Sequence, residues 1–413
     1  MKQSPIPSFN PAVRTILLIL LISLAAGLLF WLNYSVASFG GKWENSDFMF
    51  VWMGGHAALD GVDLYNPQAW EDLHVRYAGD YRDNPIFLYW LPVAYIFAPF
   101  ALLPVRISAA LWLLCSEAML IYAITRFWKM LPLPGGLAGQ ALVIFLLAFF
   151  LPVIVVIWTG QYSMLMLFLA VLVYEFARRE QDLWAGFFLM LLCLRPNPVV
   201  LIIPIMLLWF LWQKRWRLLI SFGGSCVAVA LASELASPGW FVRWFGYTLG
   251  SGGKLSYYIN TTPTLWGLAY DISPYSPAAI KNMVILVICL VFLLISCLFL
   301  RKTRQLNLGA VFSVAVALSL LLTPYAWNYD QVLLLFPILW SLSAFQYTVG
   351  KPRAWVWPIA AMMMFVLPYG LRLIALQRDR DPYSALVSLA VLLFTFWAAY
   401  IRQTSRQPTQ QTE

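Results

Sequence analysis

Charge is what this chain has least of: Asp, Glu, Lys and Arg together make up 11% of its 413 residues. A soluble domain carries roughly 25%, and 62% hydrophobic residues with a mean hydropathy of +0.76 exclude that class. Histidine occurs only at His56 and His74, which excludes a histidine-rich metal centre. Cys115, Cys193, Cys226, Cys289 and Cys297 all fall inside apolar runs with no C-x-x-C pair, so neither a disulfide framework nor a zinc site is expected. A phosphate-cradling G-x-x-x-x-G-K motif is missing, which argues against an ATP-driven pump. No repeat of fixed period is visible, which weakens an inverted-repeat transporter.

What is present is long apolar segments. "ILLILLISLAAGLLFWLNY" from Ile16 and "MVILVICLVFLLISCLFL" from Met283 are of bilayer-spanning length. Backbone amides in lipid must be satisfied within their own segment, so an all-α polytopic membrane protein is expected. The first run, about 19 residues, exceeds the roughly 7 to 15 of a signal-peptide core and is read as an uncleaved helix. The net charge of +9 lies in short clusters between apolar runs, the positive-inside signature rather than a nucleic-acid footprint.

Those clusters order the chain. Lys2 and Arg14, "RR" at 178–179, "QKRWR" at 213–217, "RKTR" at 301–304 and "GKPR" at 350–353 read as cytoplasmic. The opposite, outer side then receives the acidic loop 35–86, "TGQYS" near 160, "RPNP" at 195–198, a second large loop at 236–278 and "TPYAWNYDQ" at 323–331. Residues 86–104 carry Pro92, Pro99 and Pro104 and would invert this order if they crossed, so a re-entrant segment is expected there. The expectation is one membrane domain over 1–413 with about twelve crossings, both termini cytoplasmic and a polar tail at 402–413.

Polar residues out of keeping with this composition gather on the outer side. In "SDFMFVWMGGHAALDGVDLYNP" (46–67), Asp47 precedes an aromatic helix expected to lie in the interface, and is either an N-cap or a half-desolvated general base. Asp60 and Asp63 suit a turn. Arg195 separates two apolar runs just before Pro196 and Pro198, which suits snorkelling or phosphate binding. Gln161 begins one crossing and Asp330 another, each open to a capping or a site role. "DRD" at 379–381 formally matches a metal-holding triplet but sits between arginines and is discounted.

Several segments together resemble glycosyltransferase family 87: the 46–67 stretch, "LPVAYIFAPFALLP", "GQYSMLML", "AGFFLMLLCLRPNPVVLIIP" and "LTPYAWNYDQVLLLFP", in the family's order over about residues 40 to 345. The resemblance implies a GT-C fold with an outer-face catalytic loop, and transfer of a sugar from a polyprenyl-phosphate donor to a lipid-linked or envelope glycan at the non-cytoplasmic face of the cell membrane. It implies Asp47 as base, Arg195 and Lys254 (or Arg243) at the donor phosphate, and Trp52, Tyr65, Gln161, Trp327, Asn328 and Asp330 around sugar and acceptor. No metal or cofactor beyond the donor is implied, and the partners are membrane lipids, donor and acceptor. Arg195 stands where the family usually has lysine, Tyr162 and Ser163 follow "GQ", and "AWNYDQ" lacks a histidine of mannosyltransferase members, so mannose is one sugar among several. A flippase that binds a lipid-linked sugar without chemistry and a non-catalytic scaffold are the rival readings.

Overall fold

The computed structural model describes residues 11–38, 46–78, 87–130, 137–250, 258–302, 307–347, 356–378 and 380–404, and every regular element among them is helical. Six helices are long and apolar enough to cross a membrane, the apolar stretches being Ile19–Val36, Val105–Met130, Trp216–Ala236, Ala278–Phe299, Val356–Arg378 and Pro382–Arg402. The chain is a polytopic membrane protein. Against the expected dozen crossings, Asp182–Leu194, Pro196–Trp212 and Leu308–Leu322 are shorter apolar helices. Leu308–Leu322, enclosed by protein, does not need a lipid-matched length.

Burial sorts these helices into an inner and an outer set. Leu308–Leu322 is buried along its length after the first residue, and Ser163–Arg178 nearly so, as expected of helices apolar on every face. Leu335–Tyr347 and Ala385–Thr404 pack on Leu308–Leu322 and complete the core. The Ile19–Val36, Trp216–Ala236 and Ala278–Phe299 stretches instead expose Leu, Ile and Val side chains such as Leu24, Ile220 and Leu290. Surfaces of that kind suit hydrocarbon.

The helix carrying Asp47, Asp47–Asp60, is enclosed by protein on one face. Phe48, Met49, Val51, Trp52, Met53 and Ala57 are all buried, because the helix packs along Leu91–Ala101. Gly54 and Gly55 permit the approach: a Cβ on Gly55 would come within 2.7 Å of the Phe97 carbonyl oxygen, and one on Gly54 within 2.5 Å of the Phe87 ring. Gly61, at φ 67°, ends the helix. Asp63 Oδ1 then accepts from the Tyr65 amide at 3.1 Å, the turn role read for it, and the chain enters Pro67–Ala78, a helix within what had been read as loop. Leu91–Ala101 has 11 residues, about 16 Å, roughly half the hydrocarbon core.

Candidate active site

Three breaks in apolar helices face one another. Gly160, at φ 68°, stops Leu151–Thr159 and places Gln161 and Tyr162 before the next helix. Pro196 and Pro198 interrupt the chain at Arg195, whose backbone (φ −129°, ψ 82°) leaves the helix. Pro324 follows Leu308–Leu322, and residues 325–327 lead into a 3-10 turn over Asn328–Leu334. Each break is where a proline or a left-handed glycine stops the amide ladder.

Arg195 and Asp330 form a buried ion pair at the meeting point, with Nε to Oδ1 at 2.7 Å and Nη2 to Oδ2 at 3.4 Å. Arg195 is 7% exposed and Asp330 1%. Ser163 Oγ donates to Asp330 Oδ1 at 2.8 Å, and the Trp327 amide donates to Oδ2 at 3.0 Å. Arg195 Nη1 donates to Gln161 Oε1 at 2.9 Å, and Gln161 Nε2 donates to the Tyr89 hydroxyl at 3.2 Å. The guanidinium also lies 4.9 Å from the Tyr162 ring centre and 5.0 Å from that of Tyr329, an aromatic sandwich that favours arginine over lysine.

Beside this pair is a cavity of ≈ 530 Å³ whose walls include Asp47, Tyr89, Gln161, Arg195, Trp327 and Asp330. Asp47, the first residue of its helix, is half-buried there. Its carboxylate is felt by two phenols: burial first, and then Asp47, push Tyr89 up to about 12 and Tyr329 upward as well. A carboxylate and a cation thus line one partly apolar cavity.

Other expected residues stand apart. Trp52 is buried behind the wall, donating to the Leu103 carbonyl at 3.2 Å and packed edge-on against His56. Tyr65 buttresses the wall, its hydroxyl donating to the Tyr89 carbonyl at 2.9 Å. Arg243 pairs with Asp63 at 3.3 Å. Lys254 lies outside the described residues. Tyr89, Tyr325 and Tyr329 line the cavity without having been singled out; the aromatic loops that hold them were the visible signal.

Asn328 turns away, donating through Nδ2 to Asp381 Oδ2. Asp381, the last residue of the discounted "DRD", also accepts from Ser384 Oγ at 2.6 Å and is 3.8 Å from Arg372. No cluster of three or more His, Cys, Asp or Glu residues occurs among the described residues. Asp381 braces the 3-10 turn instead. Burial pushes its carboxyl up to about 6. A carboxyl raised on folding contributes stability below its unfolded value, near 3.9, that is lost as pH rises through the folded one. Asp381→Asn is therefore expected to melt above wild type at pH 7.5, with the difference closing as pH falls from about 6 to about 4. Thermal melts in detergent across that range check the sign.

The sequence model of glycosyltransferase family 87 matches residues 87–324. No curated protein and no solved structure matches the chain. Gln161 and Arg195 lie within the matched span, whereas Asp47 and Asp330 reach the same cavity from either side of it.

Proposed function

The chain belongs to glycosyltransferase family 87, and from that premise we propose that this membrane glycosyltransferase takes its sugar from a polyprenyl-phosphate donor, with Asp47 as general base. The observation that carries the reading is the shared cavity of Asp47 and Arg195. Asp330, the other carboxylate in the cavity wall, has its oxygens occupied by Ser163, the Trp327 amide and Arg195. It is a positioning group in this reading.

The acceptor hydroxyl gives its proton to the Asp47 carboxylate while its oxygen bonds to the anomeric carbon. The bond from that carbon to the phosphate oxygen breaks, and the electron pair leaves with the polyprenyl phosphate, inverting the centre. Arg195 sits where that negative charge accumulates. Its contacts to Asp330 and Gln161 leave one N–H on each terminal nitrogen for phosphate oxygens. Gln161, Trp327 and Tyr325 offer hydrogen bonds and ring faces to the sugar. The cavity opens at the non-cytoplasmic face of the cell membrane, and Leu91–Ala101 dips rather than crosses. Mannose is one candidate sugar. The acceptor is a lipid-linked or envelope glycan.

A flippase would need a route to the second leaflet, whereas Met164, Leu167, Leu318 and Leu321 lie buried along the helices leading away from the ion pair. The test is reconstitution of the purified chain in liposomes with a panel of labelled polyprenyl-phosphate sugars and native lipid extract. Label appearing in a glycan or glycolipid product from one donor is the expected result. Translocation of donor with no product from any of them would give the site to the flippase.

A further inference from the structure

A second cavity, of ≈ 1010 Å³, lies at the opposite end of the same helices. Ser163–Arg178 begins at Asp330 and ends with Arg178 in its wall. Leu308–Leu322 runs from Leu308 in that wall to the turn before Trp327. At 1.5 Å per residue, the 16 residues of the first helix separate the two cavities by about 24 Å. The distal cavity is thus distinct from the candidate active site and rests on none of its assignments.

Its lining is strongly basic. Among the described residues, Arg178, Lys214, Arg215, Arg217 and Arg402 stand against Glu180 and Asp182. Arg215 is structural: its Nε donates to Asp182 at 2.9 Å and its Nη1 to the Ala177 carbonyl at 2.7 Å, which ties two helix hairpins into a fixed wall. Asn307 also lines the cavity and caps Leu308–Leu322 through the Gly309 amide, so the positive end of a 15-residue helix points into it.

Two further observations tell a built site from a merely topogenic cluster. Glu180 and Lys214 hold φ of 59° and 55°, the left-handed region, at the ends of the two hairpin helices. In both turns an amide three places beyond the helix end bonds back five residues, Gln181 to Phe176 and Arg215 to Phe210, a cap that ordinarily takes glycine. Charged residues are held there despite the strain. The other observation is apolar: Trp209 and Trp216 share the lining, and Trp216 opens the Trp216–Ala236 helix, whose exposed side chains include Ile220, Val227 and Leu231. A ligand with a phosphate in the cavity would have hydrocarbon-compatible surface leading away from it.

We propose that this basic cavity binds the phosphate-bearing headgroup of an anionic membrane lipid, with the acyl chains laid along Trp216–Ala236. Phosphate chemistry is common to a lipid headgroup and to free phosphate; the adjoining tryptophans and lipid-facing helix favour the lipid.

Lys214→Gly tests it without threatening the fold, because glycine adopts the left-handed backbone freely. Glu180→Gly is its matched control, relieving the same strain while removing the opposite charge. Purified full-length protein would be titrated with short-chain phosphatidylglycerol, phosphatidylcholine of equal chain length and inorganic phosphate, with bound lipid read by native mass spectrometry. Saturable phosphatidylglycerol binding is expected to weaken about fivefold in Lys214→Gly, the loss of one cation at an anionic surface, and further in Lys214→Gly with Arg217→Gln. It should hold or tighten in Glu180→Gly. Unchanged binding in the double variant, equal losses in both glycine variants, or phosphate binding as tightly as the lipid would each overturn the proposal.

Discussion

Replacing Asp47 by asparagine is expected to lower sugar transfer by about 10²- to 10⁴-fold while leaving the protein folded, the span general-base removal commonly gives. The substitution keeps size and helix position, and Asp47 is a half-buried first-turn residue rather than a core one. The loss should fall on turnover more than on donor binding, because Arg195, Gln161 and Trp327 remain in the cavity wall. Transfer by the liposome assay and donor binding by equilibrium titration separate the two quantities. A folded variant with transfer within a few-fold of wild type would move the base away from Asp47.

Arg195→Ala is expected to act on folding and function together. It strips the partner from a carboxylate that is 1% exposed, and breaking a buried pair from one side costs about 3–5 kcal/mol. Reduced yield, a lower Tm and loss of transfer are expected together. Arg195→Lys keeps the charge but loses the fork to Asp330 and Gln161 and the stacking between Tyr162 and Tyr329, so its melting temperature should fall between the two. Replacing both partners, as Arg195→Met with Asp330→Leu, should recover part of the stability and none of the transfer. Recovery of transfer in that double variant would exclude Arg195 from the phosphate.

Much of this was legible in order along the chain. Prolines and glycines flanking polar residues marked Gln161, Arg195 and Asp330, and all three line one cavity. Pairing was not legible. Whether Arg195 snorkels or meets Asp330 depends on how the Ser163–Arg178 and Leu308–Leu322 helices lie in the core, and local pattern carries no such information. The same limit misplaced Trp52, whose aromatic spacing suits an exposed stacking face equally well; Gly54 and Gly55 bring its helix against Leu91–Ala101 and bury it. Asp381 was discounted for its neighbours in sequence, yet its partner Asn328 stands 53 positions earlier.

The separation of Arg195 and Asp330 also has a meaning in time. The two stand 135 residues apart, and synthesis at about 5–20 residues per second leaves an interval of roughly 7 to 27 seconds between them. For that interval the nascent hairpin made of Asp182–Leu194 and Pro196–Trp212 carries an arginine whose counter-ion has not yet been translated. A ribosome that stops before residue 330 therefore leaves a chain unable to complete its central ion pair, and such a fragment should be a preferred substrate for membrane quality control.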